Sequence, residues 1–134
     1  LYCRAKAHIK EQQYGLAVVD LTPISKEVRT VIGAEAKYEL ANCYFLLGAI
    51  DMAEQEVMSF MQMQTTQQYW LAKSMILLAD INLQRNDSFQ AKQYLLALQA
   101  NYKQTDDIQS IVAEKLSALE EKEETPEIEE EETL

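Results

Sequence analysis

The chain has 134 residues, 48% of them apolar, with only 3 glycines and 2 prolines. That suffices for one domain with its own core, and a composition dominated by Leu, Ala, Glu, Gln and Lys excludes a sheet-built fold and favours all-α. The formal net charge is −10, yet residues 120–134 hold nine glutamates against one lysine, which leaves 13 acids against 11 bases in residues 1–119. A near-neutral body without a Lys/Arg stripe excludes phosphate-backbone binding, so no nucleic-acid partner is expected.

The first predicted helix covers about residues 2–11 and turns at Gln12 and Gln13; the second starts at Tyr14 and runs into the low twenties. Pro23 lacks a donor and clashes with the carbonyl of Val19, so a kink or an early stop is expected there, followed by a turn over residues 25–28. Gly33 is read as the break before the next hairpin. That hairpin comprises residues 34–48, a turn at 48–51 and residues 52–63. In its first half Leu40, Tyr44 and Leu47 form one stripe while Tyr38, Asn42 and Phe45 form a second, so the helix needs covering on two sides.

The third hairpin opens with a helix near 67–84 that is apolar on several sides, turns at Asn86, Asp87 and Ser88, and ends near Asn101. A polar connector over 103–107 follows, with Asp106 and Gln109 spaced as a capping box. The last predicted helix, about 105–120, carries one stripe of Ile108, Ile111, Val112, Leu116 and Leu119, which suits the end of an array. The acidic block after it, broken by Pro126, is read as a disordered tail from about residue 124. No run approaches the roughly 20 apolar residues of a membrane span, so no membrane insertion is expected. A start without Met, inside a helical pattern and without a signal-peptide layout, is read as the start of an excised C-terminal piece of a longer protein.

Small residues recur in pairs twelve apart: Ala5 and Ala17, Ala41 and Ala53, Ala79 and Ala91. The second members are separated by 36 (17 to 53) and 38 (53 to 91) residues, room for two antiparallel helices and two turns. This pattern resembles the tetratricopeptide repeat family, whose unit combines a small residue, an aromatic three positions later, a turn glycine and an alanine entering the second helix. Leu40, Ala41, Tyr44, Gly48 and Ala53 carry it together. The third unit keeps Leu78, Ala79 and Ala91 but has Asn82 and Asn86 for the aromatic and the glycine; the first keeps Ala5, Tyr14 and Ala17, with His8 in the aromatic's place. No unit has the family's closing proline.

The resemblance covers residues 1–102 and implies a right-handed α-α superhelix of three hairpins, about 1–32, 33–66 and 67–102, plus a capping helix, with an acidic tail at 120–134. It further implies the C-terminal part of a longer bacterial array, in cytoplasm, periplasm or envelope. In the family, ligands lie in a groove lined by first helices. Carried over, that groove comprises Tyr2, Lys6, Ile9 and Lys10, then Tyr38, Asn42, Phe45 and Leu46, then Ile76, Asp80, Leu83 and Gln84. The expected function is a non-enzymatic scaffold that binds a peptide or partner protein, without cofactor or metal. The alternative is a structural end segment that caps a longer array, packs on the parent's upstream repeats and forms a homodimer when excised.

Individual side chains with chemical potential have simpler readings. His8 lacks a motif supplying a nucleophile and acid, and is read as packing between helices. Asp80 is read as a groove acceptor or a partner of Lys73 or Lys37, and Glu54 and Glu56 as a solvated face. Met52, Met58, Met61 and Met63 are read as core filler, Trp70 as packing between the second and third hairpins, and Cys3 and Cys43 as small buried thiols.

Overall fold

The computed structural model describes residues 1–124. Among them are seven helices and no strand: α1 (Tyr2–Lys10), α2 (Tyr14–Ile24), α3 (Val31–Leu46), α4 (Ile50–Gln62), α5 (Gln68–Gln84), α6 (Ser88–Asn101) and α7 (Ile108–Glu124). The protein is all-α. Each helix packs on the next in sequence, and alternate helices also touch: α1 on α3, α3 on α5, α5 on α7. The core is correspondingly a chain of clusters. One joins α1, α2 and α3 through Ala5, Leu21 and Leu40; another joins α3, α4 and α5 through Ala41, Val57 and Ile81; a third joins α5, α6 and α7 through Ala79, Leu95 and Val112.

The six periodic alanines explain the close approach of paired helices. Ala5, Ala17, Ala41, Ala53, Ala79 and Ala91 are all at most 1% exposed. A methyl is the largest group such a crossing admits without displacing its neighbours.

The turns within the hairpins repeat as well. Gln12, Gly48 and Asn86, the residues seven beyond Ala5, Ala41 and Ala79, adopt φ of 62°, 82° and 62°. At each, the following N–H donates to a carbonyl five residues back: Gln13 to His8 (2.7 Å), Ala49 to Tyr44 (2.9 Å) and Asp87 to Asn82 (2.8 Å). The left-handed residue's own N–H donates three residues back, at 3.0 Å in all three cases. This is the Schellman closure, which satisfies carbonyls left open at a helix end.

Several expectations change at the helix ends. Gly33 does not separate hairpins; it lies in the first turn of α3, buried, its N–H donating to the Thr30 cap at 3.0 Å. A Cβ there would fall 1.7 Å from the Glu27 backbone oxygen, so the glycine admits the preceding loop against the helix. Pro23 sits in the last turn of α2, which stops one residue later at Ile24, in keeping with the early-stop expectation. Asp106 accepts from the Ile108 N–H at 3.0 Å and from the Tyr102 hydroxyl at 2.5 Å. Gln109 does not complete a capping box: its amide donates to the Tyr102 and Leu98 carbonyls, at 2.8 and 3.1 Å, and thereby closes the end of α6. The last helix also continues to Glu124, past the Leu119 at which the apolar stripe ends. The tail expected to be disordered lies otherwise outside the described residues.

Candidate functional site

Four-residue periodicity aims one face of α3 and one of α5 at the same space. Tyr38, Asn42, Phe45 and Leu46 from α3 meet Lys73, Ile76, Leu77 and Asp80 from α5, and α7 closes one side with Ile111 and Lys115. Together they line a cleft of about 240 Å³. Six of the twelve residues assigned to a groove are thus brought together: Tyr38, Asn42, Phe45, Leu46, Ile76 and Asp80. The other six do not line this cleft. Tyr2 and Ile9 pack against the first core cluster and Leu83 against the third. Lys6 reaches Glu35 of α3 at 3.3 Å and lies 5.1 Å from the centroid of the Tyr2 ring, while Lys10 and Gln84 are exposed.

Two lysines and one aspartate line the cleft, and one lysine pairs with the aspartate. Asp80 pairs with Lys115 of α7 at 2.9 Å, not with Lys73 or Lys37. Lys73 instead lies 5.4 Å from the centroid of the Tyr38 ring, and Lys37 pairs with Glu56 of α4 at 2.6 Å. The reason is tertiary: α7 folds back over α5 and brings a cation that no spacing within the hairpins supplies. Burial, reinforced by the Glu39 and Asp80 charges, pushes the Tyr38 phenol up, so the ring stays neutral. Its ring stands 5.7 Å from that of Trp70, which in turn meets Tyr69 edge-on at 5.0 Å. Trp70 therefore packs between α3 and α5 as expected. The Asn42 carboxamide, half-buried at the cleft, makes no hydrogen bond among the described residues.

Lys73, Leu77, Ile111 and Lys115 were missed by sequence reasoning. Lys73 and Leu77 were legible, each three residues before an assigned groove residue on the same helix. The α7 pair was hidden by reading that helix solely as a cover.

Other side chains with chemical potential lie elsewhere. His8 is half-buried between α1 and α2, its Nδ1 3.0 Å from Gln13 Oε1 and its Nε2 3.7 Å from the Asp20 carboxylate. Asp20 is 3% exposed and accepts two hydrogen bonds from the Arg4 guanidinium, at 2.7 and 2.8 Å. Glu54 and Glu56 are not simply solvated: Glu54 pairs with Arg85 at 2.8 Å and Glu56 with Lys37. The core reading fails for three methionines, since Met52, Met58 and Met61 are 46, 40 and 37% exposed, and holds for Met63, which packs against the Val28, Ala34 and Phe60 cluster. Cys3 is exposed too, whereas Cys43 is buried.

The cleft combines apolar side chains, the Asn42 carboxamide, the Tyr38 ring and three charged groups, Lys73, Asp80 and Lys115. Among the described residues no helix is long and apolar enough to cross a membrane. Comparison with protein-family models, curated proteins and solved structures finds no match to the chain.

Proposed function

We propose that the chain is a tetratricopeptide-like scaffold whose hairpins stack as a right-handed solenoid and whose first helices α1, α3 and α5 line a groove that binds a peptide or partner protein without catalysis. Three features support the solenoid reading: the buried alanines at fixed intervals, the three equivalent Schellman turns, and the contacts between alternate helices. The observation that carries the binding reading is the cleft at α3, α5 and α7, where apolar side chains and an unengaged Asn42 share one accessible hollow. Interfaces of this kind draw most of their affinity from a few anchored side chains.

Leu46 is 49% exposed, so Leu46→Ala removes cleft surface with little of the core, and Phe45→Ala deepens the loss. The double variant should keep the helical circular dichroism of the parent and lose capture of its natural partner; equal affinity would count against the groove. A second reading, the structural end segment, draws on the apolar side chains exposed on the first hairpin, Leu16 at 53% and Val19 at 69%. It makes a different forecast, checked by sedimentation: the isolated chain dimerises, and attaching the parent's upstream repeats abolishes the dimer.

A further inference from the structure

Counted in repeat register, the first and last described helices each leave open one face that their counterparts bury. Ala5, Ala41 and Ala79 pack with the second helix of their own hairpins and are at most 1% exposed. The same position in α7, 38 residues past Ala79 (79 to 117), is Ser117, and it is exposed. Two residues further along each helix, and so on its other side, Cys43, Ile81 and Leu119 pack against the preceding hairpin and are at most 4% exposed. Their counterpart in α1, 36 residues before Cys43 (7 to 43), is Ala7, which is exposed as well.

The two faces match in size and in sign. Ala7 and Cys3, one turn apart, are small and exposed on α1; Ser117, Ala113 and Ser110 are small and exposed on α7. Arg4 and Lys10 stand three residues to either side of Ala7, and Glu114 and Glu120 three residues to either side of Ser117, so helical spacing flanks one face with cations and the other with anions. Arg4 keeps 63% of its side chain exposed while bonding Asp20, and Lys10, Glu114 and Glu120 are exposed. The sequence after α7 does not carry the second helix that would cover Ser117. Ala17, Ala53 and Ala91 each follow a small residue by twelve, but the twelfth after Ser117 (117 to 129) is Glu129, too long for a crossing that elsewhere admits a methyl.

We propose that copies of this chain join head to tail, the open face of α1 in one copy seating on the open face of α7 in the next. Small side chains let the two helices approach closely, and Arg4 and Lys10 meet Glu114 and Glu120 across the contact. The cleft plays no part, so the groove reading is untouched by either result.

The test is sedimentation velocity on the 134-residue chain at low salt. The sedimentation coefficient should climb with concentration without levelling at a dimer, because unlike faces propagate where a self-matching face closes. Salt at about 0.5 M should return it to the monomer. Ser117→Gln blocks one face and Ala7→Gln the other; both positions are exposed, so circular dichroism should not change. Each variant alone should be monomeric, and their equimolar mixture should form a dimer and stop there, since one intact face of each kind remains. Glu114→Lys combined with Glu120→Lys should weaken assembly of the parent about tenfold. A chain monomeric at every concentration would overturn the proposal, and nuclear Overhauser contacts between Ser117 and residues 129–133 in that monomer would name its own tail as the cover. Assembly retained by both glutamine variants would overturn it in favour of another face, such as that of Leu16 and Val19. A mixture no more associated than its two components would rule out the head-to-tail contact.

Discussion

Cys43 is 1% exposed within the cluster shared by α1, α2 and α3, and burial followed by the nearby Glu39 charge pushes its thiol up to about 12. Cys3 is exposed on α1. Since the thiolate is the reactive form, Ellman's reagent should titrate one thiol rapidly in the native chain and the second only after urea unfolding; two rapid equivalents would show that α3 does not shield Cys43. Asp20 offers a second residue-scale test. The two hydrogen bonds from Arg4 hold its carboxyl below the ordinary 3.8, so the fold favours the ionised form. That stabilisation is complete above the unfolded value and drains away as pH falls through the lower folded one. Glu35 and Glu39, raised by burial, work in the opposite sense and relieve a cost on acidification. Asp20→Asn should therefore lower the melting temperature at neutral pH and flatten its fall as pH drops below the ordinary carboxyl value of 3.8, as followed by circular dichroism. An unchanged acid limb would mean that the Arg4 pair contributes nothing.

Elements meet their turns with different amounts of strain, and the substitutions that report on this are specific. Gln12 and Asn86 hold the left-handed φ that Gly48 adopts freely, a conformation costing an L-residue about 1–2 kcal/mol. Gln12→Gly should gain about 1 kcal/mol in urea denaturation, Asn86→Gly less because Asn tolerates that region, and Gly48→Ala should lose about 1 kcal/mol. Gly33→Ala is the severe change: its Cβ meets backbone, not a movable side chain, and overpacking of that kind costs about 1–3 kcal/mol. These results also mark what the sequence could disclose. Helix positions were legible because apolar stripes and the paired alanines impose a period. The repeated left-handed turn was legible only at Gly48, since Gln12 and Asn86 carry a side chain where the geometry would favour none. Gly33 misled for a related reason: close approach of a loop and the breaking of a helix demand the same residue, and only the packing tells them apart.

At the scale of the whole molecule, the long-range charge pairs were the least legible part. Lys115 with Asp80 and Lys37 with Glu56 join residues on different helices at separations of 35 and 19, and no local pattern chooses among the available cations. The exposed methionines of α4 escaped for a similar reason, because helical spacing makes Met58 and Met61 neighbours without saying which face is covered. The molecule thus presents exposed apolar side chains in several places: the cleft, with Leu46 at 49% exposure, the first hairpin, with Val19 at 69%, and α4 and α6, with Met58 at 40% and Leu96 at 37%. The groove proposal assigns binding to the cleft. The direct measurement places a photoreactive benzoylphenylalanine at position 46 in one sample and at position 96 in another, with illumination beside the natural partner. Groove binding requires a covalent partner adduct from position 46 and none from position 96; an adduct from position 96 alone would contradict it.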